Sequence, residues 1–130
     1  MQYLIFFTLI FVSTFICASK VDKEISIKKI ENEYSISYFN YEPEISIYFE
    51  KRELQGGGYT WEALVKAVIE NEFPNLLSNI RFDSEGDAFF AHVKDEITAN
   101  KIKTVIEKLS SDIDYREKYF KIAKQHGYLE

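Results

Sequence analysis

Three observations predict an α+β fold for this sequence. Short segments alternating apolar with small polar residues crowd the region after residue 20, as half-buried strands do. A glycine run then gives way to apolar residues at helical spacing. Beyond a second strand-like stretch, the C-terminal third returns to helical spacing almost to its end. The implied arrangement is N-terminal antiparallel strands, a central helix, a second β-hairpin and two C-terminal helices packed on the sheet.

The strands begin with Ile25-Ser26-Ile27, Ser35-Ile36-Ser37 and Ile45-Ser46-Ile47, each of period two. Glu31-Asn32-Glu33 suits a turn between the first two, and Pro43 separates the second from the third. Ile45 to Leu54 is read as a third strand of the meander, although Ile45, Tyr48, Phe49 and Arg52 also fit a helical face. After Gly56-Gly57-Gly58, the residues Trp61, Leu64, Val65, Val68 and Ile69 lie at i, i+3, i+4, i+7 and i+8, an amphipathic helix. Thr60 is placed to cap it and Glu62 to complement its dipole. Pro74 stops the helix and opens a short one with Leu76, Leu77 and Ile80.

Arg81-Phe82-Asp83 and Ala88 to Val93 read as two strands joined through Ser84-Glu85-Gly86-Asp87. Asp95 is placed to cap a helix with Thr98, Ile102, Val105, Ile106 and Leu109 inward. Ser111-Asp112-Ile113-Asp114 has the form of a reciprocal cap for a last helix, which carries Ile113, Tyr119, Phe120 and Ala123 inward and ends at His126-Gly127.

No charged side chain precedes Lys20. Tyr3 to Ile16 is an uncharged run of signal-peptide length, too short to span a bilayer comfortably, and Cys17-Ala18-Ser19 suits cleavage. Residues 1–19 are therefore expected to be a signal peptide and residues 20–130 a single exported domain, periplasmic or envelope-associated. Ile16 stands where a lipoprotein signal has a small residue, which argues against lipidation of Cys17. Membrane attachment is expected only if Cys17 is lipidated or the segment is retained; a non-functional signal would leave the chain cytoplasmic. With 16 Lys and Arg against 21 Asp and Glu, the net charge of −5 argues against nucleic-acid binding, which needs clustered cations.

Candidate sites are few. The glycines lack the Lys-Ser/Thr pair of a phosphate loop and read instead as backbone that lets Tyr59 and Trp61 pack. Loss of Trp61 to Ala is expected to cost roughly 3–5 kcal/mol. Asp83, Glu85 and Asp87 alternate as in a calcium loop, but Gly86 is misplaced and Lys94 stands where the bidentate Glu belongs. They read as a solvated turn or, functionally, as an acidic patch for a basic partner. His92 and His126 are too few for a zinc site, and His92 reads as a rim residue of its strand. Tyr34, Tyr38, Tyr41 and Tyr48 are placed to line an exposed sheet face. No catalytic residue, cofactor or metal is assigned.

Two stretches resemble a known family. Gly56-Gly57-Gly58-Tyr59-Thr60-Trp61-Glu62-Ala63-Leu64 is similar to the G-x-G-Y-x-W-x-x-L segment of the immunity protein 51 family. Ile80-Arg81-Phe82-Asp83-Ser84-Glu85-Gly86-Asp87-Ala88-Phe89-Phe90 resembles the I-x-F-D-x-E-x-x-x-F hairpin that follows it, in the same order and spacing. Ile30 to Tyr38 is similar to that family's opening hairpin, so the resemblance covers roughly residues 25 to 125. It implies a non-catalytic antidote of a bacterial polymorphic toxin system, binding a cognate toxin; from their charge, Glu62, Asp83, Glu85 and Asp87 are then the expected contact residues. Most such antidotes act in the cytoplasm, and an exported one points to a toxin of the periplasm or envelope. The competing readings are a small envelope enzyme using His92 and a structural module that presents its tyrosines to a partner.

Overall fold

A computed structural model describes residues 24–129. Ile25–Ile30 (β1) and Glu33–Tyr38 (β2) form the expected first hairpin, with Ile30 opposite Glu33 and Glu31 in the left-handed region at φ 55°. Arg81–Phe82 (β3) and Phe89–Val93 (β4) form the second, and β4 pairs with β2. The result is one antiparallel sheet in the order β1-β2-β4-β3. Its register places Ile27, Ile36 and Ala91 in one row and Tyr38 beside Phe89 in the next, all on the inner face.

The third strand is corrected to a helix, Pro43–Glu50 (α1). Pro43 occupies its first turn, where no N–H is needed, and Ile45, Tyr48 and Phe49 are buried at i, i+3 and i+4. The short alternation in Ile45-Ser46-Ile47 hid this, since three residues cannot separate period two from 3.6; Ile47 points outward.

The central helix spans Gly58–Glu72 (α2), followed by a 3₁₀ segment at Pro74–Asn79. Two further helices, Glu96–Ser111 (α3) and Ile113–Gln125 (α4), complete the chain. Helices α2 and α3 lie on the inner face of the sheet, and α4 packs on both of them. Trp61 anchors the core, meeting Tyr38 edge-on at 4.8 Å and Phe49 at 5.7 Å between ring centroids. An α+β domain with its helices on one face of an antiparallel sheet is what the sequence predicts.

Several side-chain expectations change. Tyr38 and Tyr48 are core residues, Tyr34 is half-buried and Tyr41 lies in the loop before α1, so no tyrosine-lined sheet face exists among the described residues. The outer face carries Ser26, Ser35, Ser37, Phe90 and His92 instead, the strand positions that alternate with the inner rows. Ser111 ends α3, and Asp112 alone caps α4 by accepting from the Tyr115 N–H at 3.0 Å. Ile113, the first residue of α4, is 60% exposed, and the buried stripe begins at Arg116 and continues through Tyr119 and Ala123. Asp95 caps α3 as expected, and Gly127 has φ +69° after the last helix. The leader expectation for residues 1–19 lies outside the described residues; within them no helix is long and apolar enough to cross a membrane.

Candidate partner-binding surface

The glycine run and the second hairpin meet backbone to backbone. Gly58 donates its N–H to the Gly86 carbonyl at 3.2 Å, and a Cβ on Gly57 would lie 1.9 Å from that same oxygen. On Gly58, a Cβ would lie 2.0 Å from the carbonyls of both Glu85 and Ala88. Side chains are thus barred from both positions by contact with main chain that cannot move aside. Gly56 answers a different demand, with φ +71° against the Phe49 ring. The helix accordingly begins at Gly58, with Gly57 as its first cap residue, and not after Thr60. Thr60 is buried in the first turn, where its hydroxyl accepts from the Gly56 N–H at 3.2 Å, while Glu62 lies beyond that turn and has no special place near the helix end.

Held this way, the connection between β3 and β4 has a set shape. The Asp83 N–H donates to Phe90 O at 3.0 Å, Glu85 N–H to Ala88 O at 2.9 Å, and the Ser84 hydroxyl accepts from Phe90 N–H at 3.2 Å. Glu85, Gly86 and Asp87 project into solvent. Asp83 differs from its two neighbours, because its Oδ2 lies 3.8 Å from Arg81 Nη1 and 3.5 Å from His92 Nε2, and Arg81 also pairs with Glu33 at 3.1 Å. Beside the start of α2 opens a cleft of about 510 Å³, lined by Glu53, Leu54, Tyr59, Glu62, Lys66 and Tyr128 among others. Tyr59, expected to pack with Trp61, is 63% exposed at this cleft. Three of the four acidic candidates therefore share one loop, and Glu62 lines the neighbouring cleft.

In the comparison of sequences, residues 26–125 match the family model described as Immunity protein 51. The chain belongs to the Immunity protein 51 family. No curated protein and no solved structure matches it. In this Immunity protein 51 domain the matched region holds both the glycine-started helix and the loop it supports, along with every strand pairing of the sheet except that of Ile25.

A second groove, of about 490 Å³, lies between α1 and α4. Three of its polar side chains are engaged with one another: the Arg52 guanidinium stacks 3.6 Å over Tyr48 and pairs with Glu117 at 2.8 Å, and the Tyr48 hydroxyl donates to the same carboxylate at 2.5 Å. The Tyr48 hydrogen bond and the Arg52 charge hold Glu117 below the usual carboxylate range, while burial raises the Tyr48 phenol. His92 lines neither cleft, and no group of three or more His, Cys, Asp or Glu among the described residues is placed to hold a metal.

Two participants escaped the sequence reading. Arg116 stands in the sequence like any other cation of a helix, yet it is 6% exposed and its Nη1 donates to the Leu109 and Ser110 carbonyls at 2.7 and 3.1 Å. It satisfies the end of α3 from inside α4. Glu53 was hidden in the supposed third strand; it has φ +60° just after α1 and lines the cleft. Once α1 is recognised as a helix, the polar run Lys51-Arg52-Glu53 is the signal for its end.

Proposed function

We propose that this protein is an exported antidote that binds a cognate bacterial toxin and neutralises it by covering its surface, with no catalysis. The observation that carries the proposal is the membership of residues 26–125 in a family of immunity proteins. Charge supports it: residues 24–90 hold thirteen acidic and six basic side chains, and Glu85 and Asp87 stand out from a braced loop. Such a surface suits a basic partner and steers its approach. Asp83, Glu85, Asp87 and Glu62 are the proposed contacts. Residues 1–19 are proposed to direct the chain out of the cytoplasm, which places the toxin's action in the periplasm or envelope.

Survival tests the reading. Cells expressing a toxin candidate encoded beside this gene, directed to the periplasm or kept in the cytoplasm, are supplied with the protein with or without residues 1–19. Rescue only by the exported form is expected. Failure in every arrangement, with both proteins expressed and the toxin lethal, would overturn the antidote. A folded His92→Ala variant is expected to protect fully, and its failure would favour an enzyme.

A further inference from the structure

We infer that the cleft beside the start of α2 is a receptor for an arginine side chain on the surface of the toxin, an inference that rests on the antidote reading. Three residues carry it. Tyr59 is exposed although Gly58, Thr60 and Trp61 around it are buried, so the tightly constrained helix start presents one aromatic ring to solvent. Glu62 follows three residues later on α2 and therefore shares its face. Glu53 enters from the end of α1 in the left-handed conformation, where glycine or asparagine is the ordinary choice. The backbone at this turn satisfies the helix end, through Glu53 N–H to Glu50 O at 2.9 Å and Leu54 N–H to Phe49 O at 3.1 Å, and glycine at position 53 would allow the same turn with less strain. The carboxylate, then, is not explained by the turn.

Among the described residues neither Glu53 nor Glu62 has an ion-pair partner. Lys66, the cation of the cleft, rests on another of its lining residues, its ammonium 4.3 Å from the centre of the Tyr128 ring. Two carboxylates and an open tyrosine face around about 510 Å³ of space complement a planar cation. Arginine fits this set better than lysine, because a guanidinium stacks on an aromatic ring while its edge donates to carboxylates. The hydrogen bond from Gly58 to Gly86 sets the acidic loop against the same helix start, so Glu85 and Asp87 extend the surface for further cations around the anchoring arginine.

Two titrations test this on the purified protein. N-acetyl-arginine amide is expected to shift the backbone amide signals of Glu53, Tyr59 and Glu62, saturating in the millimolar range, with the lysine analogue several-fold weaker. The double variant Glu53→Gly, Glu62→Gln should lose these shifts and keep a melting temperature equal to or above the wild type. In the second titration the toxin encoded beside the gene should bind that variant at least tenfold more weakly. Shifts that are absent, scattered or retained in the variant would overturn the inference, as would unchanged toxin affinity. Toxin that ignores even the wild type, while the arginine shifts remain in the cleft, would overturn the antidote reading and leave the arginine preference standing.

Discussion

Gly58 and Gly86 are joined by a single backbone hydrogen bond of 3.2 Å, yet only one of the two positions requires a glycine. Gly58 has no room, whereas nothing lies within 4 Å of a Cβ on Gly86 and its φ is not positive. Gly58→Ala should therefore destabilise the domain by about 3 kcal/mol or more, because the clash is with rigid main chain. Gly86→Ala should stay within about 1 kcal/mol of the wild type. Urea unfolding of the two variants checks the contrast, and equal losses would refute it.

Arg116 closes the end of α3 from a buried position, stacked 4.5 Å from the Tyr48 ring. Truncation to Ala strands two carbonyls and removes the packing, so a loss of roughly 3 kcal/mol is expected. Arg116→Lys should recover only part of it, since an ammonium lacks the planar stack. Denaturation midpoints measured for both variants decide the matter.

Acid should weaken the fold through two carboxylates. The Thr98 backbone N–H, followed by its hydroxyl, holds Asp95 below the usual range, and Tyr48 followed by Arg52 does the same for Glu117. A depressed pKa contributes stability that is fully present above the unfolded value and lost as pH falls through the folded one. Stability should thus be level down to about pH 5 and decline below about pH 4. Asp95→Ala should cost about 1 kcal/mol at neutral pH and flatten the acid decline. A decline as steep in the variant as in the wild type would remove Asp95 from the account.

Alkali should act on α4. Tyr48 donates to Glu117 of α4, Tyr115 of α4 to Glu72, and Tyr128, just beyond it, to Glu70 at 2.6 Å. Burial first raises the Tyr48 and Tyr115 phenols, and the Glu70 bond first raises Tyr128. Raised phenol values mean that the unfolded chain loses these protons first, so stability is present below about pH 10 and falls as pH rises past it. Hydrogen exchange across α4 should accelerate there before it does in the sheet. Tyr115→Phe should make the fall shallower.

Within the acidic loop the contributions should be unequal. Glu85→Lys with Asp87→Lys is expected to slow toxin association and flatten its salt dependence, at little cost to stability. Asp83→Lys should give a smaller kinetic effect per charge, because Asp83 already lies beside Arg81 and His92. Stopped-flow association across a salt series separates the two, and rates indifferent to all three reversals would exclude the loop from the interface.

What could be read from the order of residues was whatever depends on neighbours in the chain. The β1–β2 and β3–β4 hairpins, the apolar stripe of α2, the Asp95 cap and the stop at Gly127 all rest on local period or local backbone preference, and all are present. Even Trp61 as a core anchor followed from its place at the head of that stripe. Tertiary packing decided the rest. Ile45-Ser46-Ile47 suited strand or helix until Phe49 met Trp61, and Tyr38 was buried when β2 became a central strand. Arg116 went inside because the end of α3 needed donors. Most of all, the three glycines and the acidic loop lie some thirty residues apart, and only folding brings Gly58 against Gly86. A ban on Cβ atoms set by another segment's carbonyls leaves no periodic trace in either segment, so it becomes visible only when the two are in contact.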